Sequence, residues 1–360
     1  MQHRKVIVLN DYNLQKDYKN YKIGKLPGHL IFGLHKLKKF GFDPELVKLW
    51  EPGFSYHLDN WLIKHKPIIP IGRIETQVKT LRKINQADAI LCLKETESHL
   101  LHYLRALNFI RVPIITLVHH PQNIGRFNWL RIPANYCWHR GADAVLTFSK
   151  NIHLVGHNTQ KVIRVPWGPD IDYYDSLTPT YGDQIMTAGR SGRDFHSFAT
   201  ASANTLSSAH IMCLEYDAET IYGKLPSHVS MEVGWQEPHE VYNKLKNALA
   251  IAIPLLPQKF TSGLTSICDA LGMGKAILMP ENIGIDLDIE KLGIGKIIRP
   301  NNIDGWTKTL LWVKQNREET IKMGKRAREF AVKSYNCDLF AKSIANCIER
   351  CMEKATPGVV

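Results

Sequence analysis

The stretch Thr261–Leu278, "TSGLTSICDALGMGKAIL", carries the pattern from which the fold is inferred. It opens with small hydroxyl and glycine residues and continues as an apolar, helix-like run that holds one carboxylate, Asp269. A Gly-Met-Gly turn follows, and Ala276–Met279 is an apolar run typical of a buried strand. A bare loop, a helix and a strand in that order predict one repeat of an α/β fold, with the small residues at a strand-to-helix corner.

The same alternation of strand and helix runs through the chain. Apolar runs predict strands within 5–10, 88–94, 112–120, 142–149 and 161–168, and again within 183–190, 210–215, 229–235, 248–255 and 275–280. Helical spacing predicts helices over 28–41, where Gly41 ends the run as a C-cap would, and over 198–206, 239–248 and 303–335. The fold class predicted is α/β, with two doubly wound, Rossmann-like domains that face a central cleft.

A length of 360 residues favours two domains. The passage rich in proline, glycine and aspartate that begins at Pro166 separates the two series of strands. We therefore predict an N-terminal domain over 1–166, a linker over 167–182 and a C-terminal domain over 183–335. Residues 336–360 are predicted to form a helix that packs back on the N-terminal domain.

Composition excludes several classes of protein. Hydrophobic residues make up 44% and charged residues 22%, as expected of a globular protein that forms hydrophobic cores. No apolar run reaches the length of a membrane-spanning helix, and the N-terminus lacks the features of a signal peptide, so a cytoplasmic location is expected. The seven cysteines form no CxxC pair, which indicates neither a zinc knuckle nor a disulfide framework. Cys347 and Cys351, one helical turn apart, are interpreted as part of a buried helix face.

The formal net charge of +12 favours an anionic partner, such as nucleic acid, anionic lipid or a phosphorylated substrate. Lysines crowd the first forty residues. The stretch 126–140, "RFNWLRIPANYCWHR", mixes aromatic residues with arginines. That mixture suits a membrane interface and equally suits a core-packed helix with a charged outer face.

Two stretches suit an anionic ligand. In "TAGRSGRDFHSF" (187–198), Arg190 and Arg193 flank Gly192 where a strand ends, an arrangement suited to bidentate bonds with a diphosphate. Solvated surface arginines are the alternative. In the opening stretch, the first helical turn offers backbone N–H groups and two hydroxyls to an anion, from Gly263, Leu264, Thr265 and Ser266. Asp269 would then accept hydrogen bonds from a ribose diol, unless it only complements the helix dipole.

The order of these segments resembles the C-terminal half of GT-B glycosyltransferases of the large group that includes family 4. The segments "EVYNKLKNALAIAIPL" and "GLTSICDALGMGKAIL" stand where that group has "ELYxxAxxxVxPS" and "GLxxxEAxAxGxPVV". In the N-terminal half, "ITLVHHP", "ADAVLTFSKNI" and "VIRVPWGPDIDYY" resemble the corresponding steps of the group. The resemblance spans nearly the whole chain.

The resemblance implies a nucleotide-sugar donor, no metal and no cofactor. It implies that Arg190 and Arg193 clamp the diphosphate, that Thr265 and Ser266 bind phosphate and that Asp269 replaces a ribose-binding glutamate. Val233 and Trp235 would frame the base. Two departures stand out. Thr261 occupies the place of a second glutamate, which puts a retaining outcome in doubt, and the usual lysine after the arginine is missing.

A second resemblance concerns the base. "GHLIFGLHKLKKFGF" (28–42) is similar to the start of inverting GT-B enzymes, where the histidine is the general base. His29 is therefore a candidate base, and a helix N-terminus would keep its ring neutral. His119 and His120 compete for catalytic or donor-sugar contacts, although adjacent strand residues point to opposite faces.

These observations predict a hexosyltransferase that uses UDP-glucose or a similar UDP-sugar. The expected acceptor is a glycan or lipid-linked glycan of polysaccharide biosynthesis, and the positive charge predicts peripheral contact with the inner face of an anionic membrane. A non-hydrolysing nucleotide-sugar epimerase of the same fold is the enzymatic alternative. A non-catalytic protein that binds nucleic acid or an anionic surface is the other, although the chain lacks the aromatic platform of single-strand binders, so nucleic acid is not expected.

Overall fold

The computed structural model describes residues 3–48, 56–65, 67–119, 128–152, 154, 161–221, 223–258 and 261–355. The chain divides into two compact units. The first comprises Met1–Lys22, Ile31–Pro166 and Asp338–Val360, and the second comprises Ile23–Leu30 and Trp167–Cys337. The stretch 167–182, predicted as a linker, belongs to the second unit and includes a helix, Ile171–Ser176.

The first unit is built on a six-stranded sheet whose strand pairs are all parallel. Its strands are β1 (Arg4–Leu9), β2 (Phe42–Leu46), β3 (Ala89–Cys92), β4 (Ile114–Val118), β5 (Ala144–Thr147) and β6 (Val162–Arg164), in the order β2-β1-β3-β4-β5-β6. Strands β3, β4 and β5 are buried along their whole length, as expected of a parallel sheet covered on both faces.

Helices cover this sheet. They are α1 (Leu14–Lys22), α2 (Tyr56–His65), α3 (Ile74–Lys83), α4 (His99–Ala106), α5 (Ile132–Gly141) and α13 (Cys337–Ala355), with 3-10 helices at Gly28–Ile31, Leu34–Phe40, Ile84–Gln86, Glu95–Glu97 and Asn128–Arg131. The first of these 3-10 helices lies mostly in the second unit. Cys347 and Cys351 on α13 are buried, which confirms the sequence interpretation.

The second unit has its own six-stranded parallel sheet. Its strands are β7 (Ile185–Ala188), β8 (Ala209–Cys213), β9 (Val229–Val233), β10 (Ala250–Ala252), β11 (Ala276–Pro280) and β12 (Gly295–Ile298), in the order β12-β11-β10-β7-β8-β9. This is the doubly wound Rossmann order, and its direction reverses between β7 and β10. In such sheets, ligands bind beyond the carboxyl ends of the strands at this reversal.

The helices of the second unit are α6 (Ile171–Ser176), α7 (Phe195–Thr205), α8 (Glu215–Ala218), α9 (Pro238–Leu245), α10 (Leu264–Met273), α11 (Ile303–Gln315) and α12 (Arg317–Ser334). Two apolar clusters cover its sheet. One joins α10 and α12 to the sheet through residues such as Leu271 and Ala327. The other includes Phe198 of α7 and Trp306 of α11.

The predicted fold class is confirmed: the chain forms two α/β units with doubly wound parallel sheets. Two strands were missed. Strand β2, "FDPEL", is a half-buried edge strand that contains a proline, and β12, "GKII", is short, so neither has the apolar run of a central strand.

The single α-helix predicted over 28–41 is wrong. Two 3-10 helices, Gly28–Ile31 and Leu34–Phe40, replace it because Phe32 and Gly33 have positive φ of 52° and 64°. The predicted cap at Gly41 is confirmed, since its N–H donates to the carbonyls of Leu37 and Lys38. Helical spacing over 303–335 likewise hid a break at Asn316, where α11 ends and α12 begins.

None of the helices formed by the described residues combines the length and the hydrophobicity needed to cross a lipid bilayer.

Candidate functional site

The candidate site lies where the second sheet reverses direction, in the loops that follow β7 and β10. Backbone bonds join these two loops. Asp194 donates its N–H to the carbonyl of Pro254 (2.8 Å), and Leu256 donates to Gly192 (2.9 Å). An isolated antiparallel bridge pairs Arg193 with Leu255. The loop that the sequence singled out for its two arginines is therefore held at the sheet position where this fold binds ligands.

Arg193 lies across the bare backbone of Gly189. A Cβ added at Gly189 would be 2.4 Å from the Arg193 Nε, so this approach requires glycine. The guanidinium donates to the hydroxyl oxygen of Ser266 (3.0 Å) and to the carbonyl of Ser191 (2.9 Å), while its Nε is buried without a hydrogen-bond partner among the described residues. Burial lowers the pKa of Arg193 to about 10, so the group remains a cation at neutral pH.

The helix that Arg193 reaches begins as the sequence predicts. Gly263 is the N-cap of α10, with a positive φ of 82° that favours glycine, and Leu264, Thr265 and Ser266 form the first turn. The first N–H groups of a helix have no partner within the helix, and the helix dipole makes this end positive. The Arg193–Ser266 bond thus brings a fixed cation to a helix N-terminus, an arrangement suited to an anion.

Arg190 takes a different direction from Arg193. Its guanidinium lies 4.6 Å from the centre of the Trp235 ring, and Tyr216 donates its hydroxyl to the Arg190 carbonyl. Trp235 and Val233 are both about half exposed. The structure therefore brings Arg190 and Trp235 together as an exposed aromatic and cationic platform beside the loop, with the exposed Val233 two residues before Trp235 in the chain. Of the two arginines, only Arg193 contacts α10.

Asp269 lies deeper in α10 and is buried. Its Oδ1 accepts a hydrogen bond of 2.5 Å from the Tyr174 hydroxyl of α6, and the His29 Nε2 is 4.0 Å from the same oxygen. Burial raises the pKa of Asp269 to about 7, although the Tyr174 bond and the Arg193 charge oppose the rise. The side chain keeps 9% of its surface exposed, so most of its contacts are with the protein interior.

His29 belongs to the second unit and has no exposed surface. Its ring stacks on Tyr174 and meets the edge of Trp167, at 6.0 and 5.7 Å between ring centres, and Trp167 donates its indole N–H to the His29 carbonyl. Neither ring nitrogen has a hydrogen-bond partner among the described residues. Burial lowers the pKa of His29 to about 3, so the ring is neutral at pH 7. The cause is burial, and not the helix dipole that the sequence analysis proposed.

The remaining predicted histidines lie elsewhere. His119 follows β4 in the first unit, where its Nε2 is 2.7 Å from the Leu93 carbonyl and its ring meets the edges of Phe32 and Phe148. In the neutral ring that nitrogen therefore carries the proton. His120 lies outside the described residues, as do Arg126 and Phe127 of the predicted interface stretch.

Several residues of the site were not found from sequence. Tyr174, Trp167 and Tyr216 contact predicted site residues through long-range bonds that leave no local pattern. Burial lowers the pKa of Arg193, and the charge of Asp217, itself buried on α8, opposes that lowering. Gln258 packs so closely over Gly192 that a Cβ there would be 1.6 Å from its amide nitrogen. In the sequence, only the two glycines of this loop indicated that other side chains pack closely over its backbone.

Thr261, which stands where the resembling group has a glutamate, is buried and donates its hydroxyl to the Gly284 carbonyl (3.2 Å). Within the described part of the chain, no three histidine, cysteine, aspartate or glutamate side chains gather as metal ligands would.

Comparison with solved structures identifies the fold. The chain matches Anabaena HepE in complex with UDP-glucose at a TM-score of 0.65 and 15% identity, covering 97% of this chain and 100% of that one. It matches sucrose-phosphate synthase from Thermosynechococcus elongatus at 0.67 and 11%, covering 98% and 100%. It matches WaaG, a glycosyltransferase involved in lipopolysaccharide biosynthesis, at 0.56 and 12%, covering 98% and 100%. The chain therefore has the GT-B glycosyltransferase fold.

No protein-family model and no curated protein sequence matches the chain.

Proposed function

We propose that this protein is a glycosyltransferase that takes a hexose from a nucleotide-diphosphate sugar. The observation that carries the proposal is the bond from Arg193 to Ser266 at the start of α10, at the reversal point of the second sheet. A buried cation, a helix N-terminus and glycine-bare backbone together suit a diphosphate. The similarity to a HepE structure that holds UDP-glucose supports a UDP-linked donor.

In this proposal, Arg193 and the first turn of α10, from Gly263 to Ser266, hold the two phosphates. Arg190 adds a second positive charge beside these phosphate-binding residues. The platform of Trp235 and Val233 receives the nucleobase, since a half-exposed indole offers a flat apolar surface for stacking. Asp269 accepts the ribose hydroxyls through the part of its side chain that stays exposed.

The base of the transfer is proposed to be one of three histidines: His29, His119 or His120. His29 is neutral at pH 7 because burial lowers its pKa to about 3. A pKa that low makes the buried ring a poor base, so the ring must be solvated before it can accept the proton. Its complete burial means that a movement of its surroundings must open a path to an acceptor hydroxyl. The absence of a glutamate at Thr261 supports an inverting reaction, which needs such a base.

The acceptor is proposed to be a glycan or a lipid-linked glycan of polysaccharide biosynthesis, reached from the cytoplasm at the inner face of the membrane. Similarity to WaaG supports a glycan acceptor. The net charge of +12 supports an anionic surface nearby.

Turnover of candidate donors tests this function. The protein should release UDP from one UDP-hexose in the presence of a glycan acceptor, and proton NMR of the product should show an inverted anomeric centre. His29→Ala should slow turnover by about 10²- to 10⁴-fold with donor affinity preserved if His29 is the base. Normal turnover in that variant would assign the role to His119 or His120, and a retained anomer would remove the need for a base.

A further inference from the structure

Eight large apolar side chains are exposed in three segments of the first unit. They come from α2, the segment 67–73 and the residues around the start of α5: Tyr56, Leu58, Trp61, Ile68, Ile69, Trp129, Ile132 and Tyr136. We call this set the α2–α5 face. Soluble monomers rarely expose a contiguous apolar patch of this kind unless it binds something.

Helix α4 joins the two sides of this face. On one side, Leu100 donates its N–H to the Ile71 carbonyl (3.2 Å), and the Tyr103 hydroxyl donates to the Pro70 carbonyl (2.8 Å). On the other side, the His99 ring lies 6.4 Å from the Trp138 ring of α5. The segment 67–73 and α5 therefore both contact the first turns of the same helix.

Three exposed residues lie on one side of α5 and of the 3-10 helix Asn128–Arg131 that precedes it. Trp129, Ile132 and Tyr136 are spaced by three and four residues, and each is more than half exposed. The opposite side is filled: Trp138 is buried and stacks on His102, with 4.8 Å between ring centres. The apolar residues outside are thus surplus to the packing of the unit.

Helix α2 shows the same arrangement. Its one carboxylate, Asp59, turns inward and accepts the N–H groups of Ile74 and Glu75 at the start of α3 (2.7 and 3.1 Å). Trp61 remains 52% exposed, with Leu58 one turn away. The helix is therefore anchored by its acid and presents indole and aliphatic groups outward.

Positive charges outnumber acids in the segments that form the face. Residues 56–65, 67–73 and 128–141 contain a single acid, the inward Asp59, and four cations: Lys64, Arg73, Arg131 and Arg140. Arg73 pairs with Glu97 (2.9 Å), and Arg140 is exposed. Tryptophan, tyrosine and isoleucine beside arginine and lysine, without acids, are the composition that proteins use at membrane interfaces. A protein partner would not require this exclusion of acids.

We propose that the α2–α5 face docks the protein on a lipid bilayer that contains anionic headgroups. The inference deepens the proposed function, on which it rests for the role of a lipid-linked acceptor. Trp61, Trp129, Ile132 and Tyr136 enter the headgroup region, and Lys64, Arg131 and Arg140 contact lipid phosphates.

Sedimentation of the full chain with vesicles tests the docking, without any sugar nucleotide present. The vesicles are phosphatidylcholine alone, or phosphatidylcholine with about a third phosphatidylglycerol. The wild type should bind the anionic vesicles at low salt and less at high salt. The double variant Trp129→Ser with Tyr136→Ser should partition roughly tenfold more weakly or worse. Arg131→Gln with Arg140→Gln should lose the preference for anionic lipid.

Phe109→Ser provides the matched control, because Phe109 is 76% exposed but follows the far end of α4. It should bind vesicles as the wild type does. Equal vesicle binding by the Trp129/Tyr136 variant and the wild type, equal loss in Phe109→Ser, or no binding by the wild type at low salt would each overturn the docking. UDP titration of the same variants separates the two proposals, since an unchanged UDP affinity keeps the donor site intact whatever the vesicles show.

Discussion

At the residue scale, the candidate site depends on a glycine, whose lack of a side chain leaves room for a neighbouring group. Gly189 leaves room for the Arg193 guanidinium, and a methyl group there would overlap it at 2.4 Å from Nε. The guanidinium is the far end of a flexible side chain, so it can move away at little cost to the fold. Loss of its position, however, also removes its bond to Ser266.

We therefore expect Gly189→Ala to weaken UDP binding almost as much as Arg193→Ala does, by about 1.5–3 kcal/mol, the range for a hydrogen bond to a charged group. The melting temperature should also fall, because Gly189 has a φ of 159°, where a residue with a side chain is strained. Gly223→Ala is the control, because Gly223 has a positive φ of 85° but open space around its Cβ position. Calorimetric titrations that give Gly189→Ala the affinity of the wild type would show that Arg193 does not hold the diphosphate.

Asp269 allows a test by pH. Its pKa of about 7 in the folded protein exceeds the unfolded value of 3.8, so between these values the folded state keeps a proton that the unfolded state has lost. The stability that this proton confers is complete below pH 4 and is lost as the pH rises through 7.

Asp269→Asn removes this titration and can still accept the Tyr174 bond. The free energy of unfolding of the variant, minus that of the wild type, should increase between pH 4 and pH 7. The increase should be at most about 1.4 kcal/mol per pH unit. Urea unfolding at several pH values measures the difference, in which the other titrating groups cancel. Parallel curves for the two proteins would mean that folding does not raise the pKa of this carboxyl.

Sequence could identify these residues separately but not as a group. Glycines beside arginines, and small residues at a helix start, predicted Arg193 and Ser266 as anion ligands. Their mutual bond, and the bond between Tyr174 and Asp269 from positions 95 apart, depend on tertiary packing that no local pattern encodes. The same packing, rather than a helix dipole, lowers the pKa of His29.

At the element scale, helix α7 begins directly after Asp194, which is the neighbour of Arg193. The Asp194 side chain caps this helix. Asp194 accepts the Ser197 N–H (3.0 Å), and its own N–H binds the Pro254 carbonyl. Asp194 therefore joins the start of the helix, through its side chain, to the loop that contains Arg193, through its backbone.

Asp194→Ala should reduce the free energy of unfolding by about 1 kcal/mol, the usual cost of a lost N-cap, and should also weaken UDP binding. Asp194→Ser, which can still cap, should restore both. Asn302→Ala removes the comparable cap of α11, where Asn302 accepts the Gly305 N–H, and should lower stability alone. If the two alanine variants lose UDP affinity equally, the effect on binding is a general loss of stability.

Most helices and strands follow from sequence because apolar runs and capping residues are local. The failures are local conflicts too. Over 28–41, the spacing of Leu34 and Leu37 satisfies a helix, but the left-handed backbone at Phe32 and Gly33 breaks it. Strand β2 is recognised only through its neighbour, since Arg4 of β1 pairs with Phe42 and Val6 with Pro44.

At the scale of the whole molecule, each unit has a doubly wound sheet, and alternation along the chain was enough to predict both. It was not enough to assign every segment to its unit. Residues 23–30 lie early in the chain but belong to the second unit, because Gly28 donates its N–H to Asp170 and Trp167 binds the His29 carbonyl. Which unit such a segment joins depends on long-range contacts, which the periodicity of the sequence does not encode.

The central claim is that the second unit binds a nucleotide through its diphosphate, and calorimetric titration with UDP, UMP and UDP-glucose tests it most directly. The wild type should bind UDP and UDP-glucose more tightly than UMP, because the second phosphate reaches Arg193 and the first turn of α10. Arg193→Ala should remove most of that advantage and leave UMP binding nearly unchanged. No measurable UDP binding by the folded wild type, or the same preference for UDP over UMP in both proteins, would contradict the account.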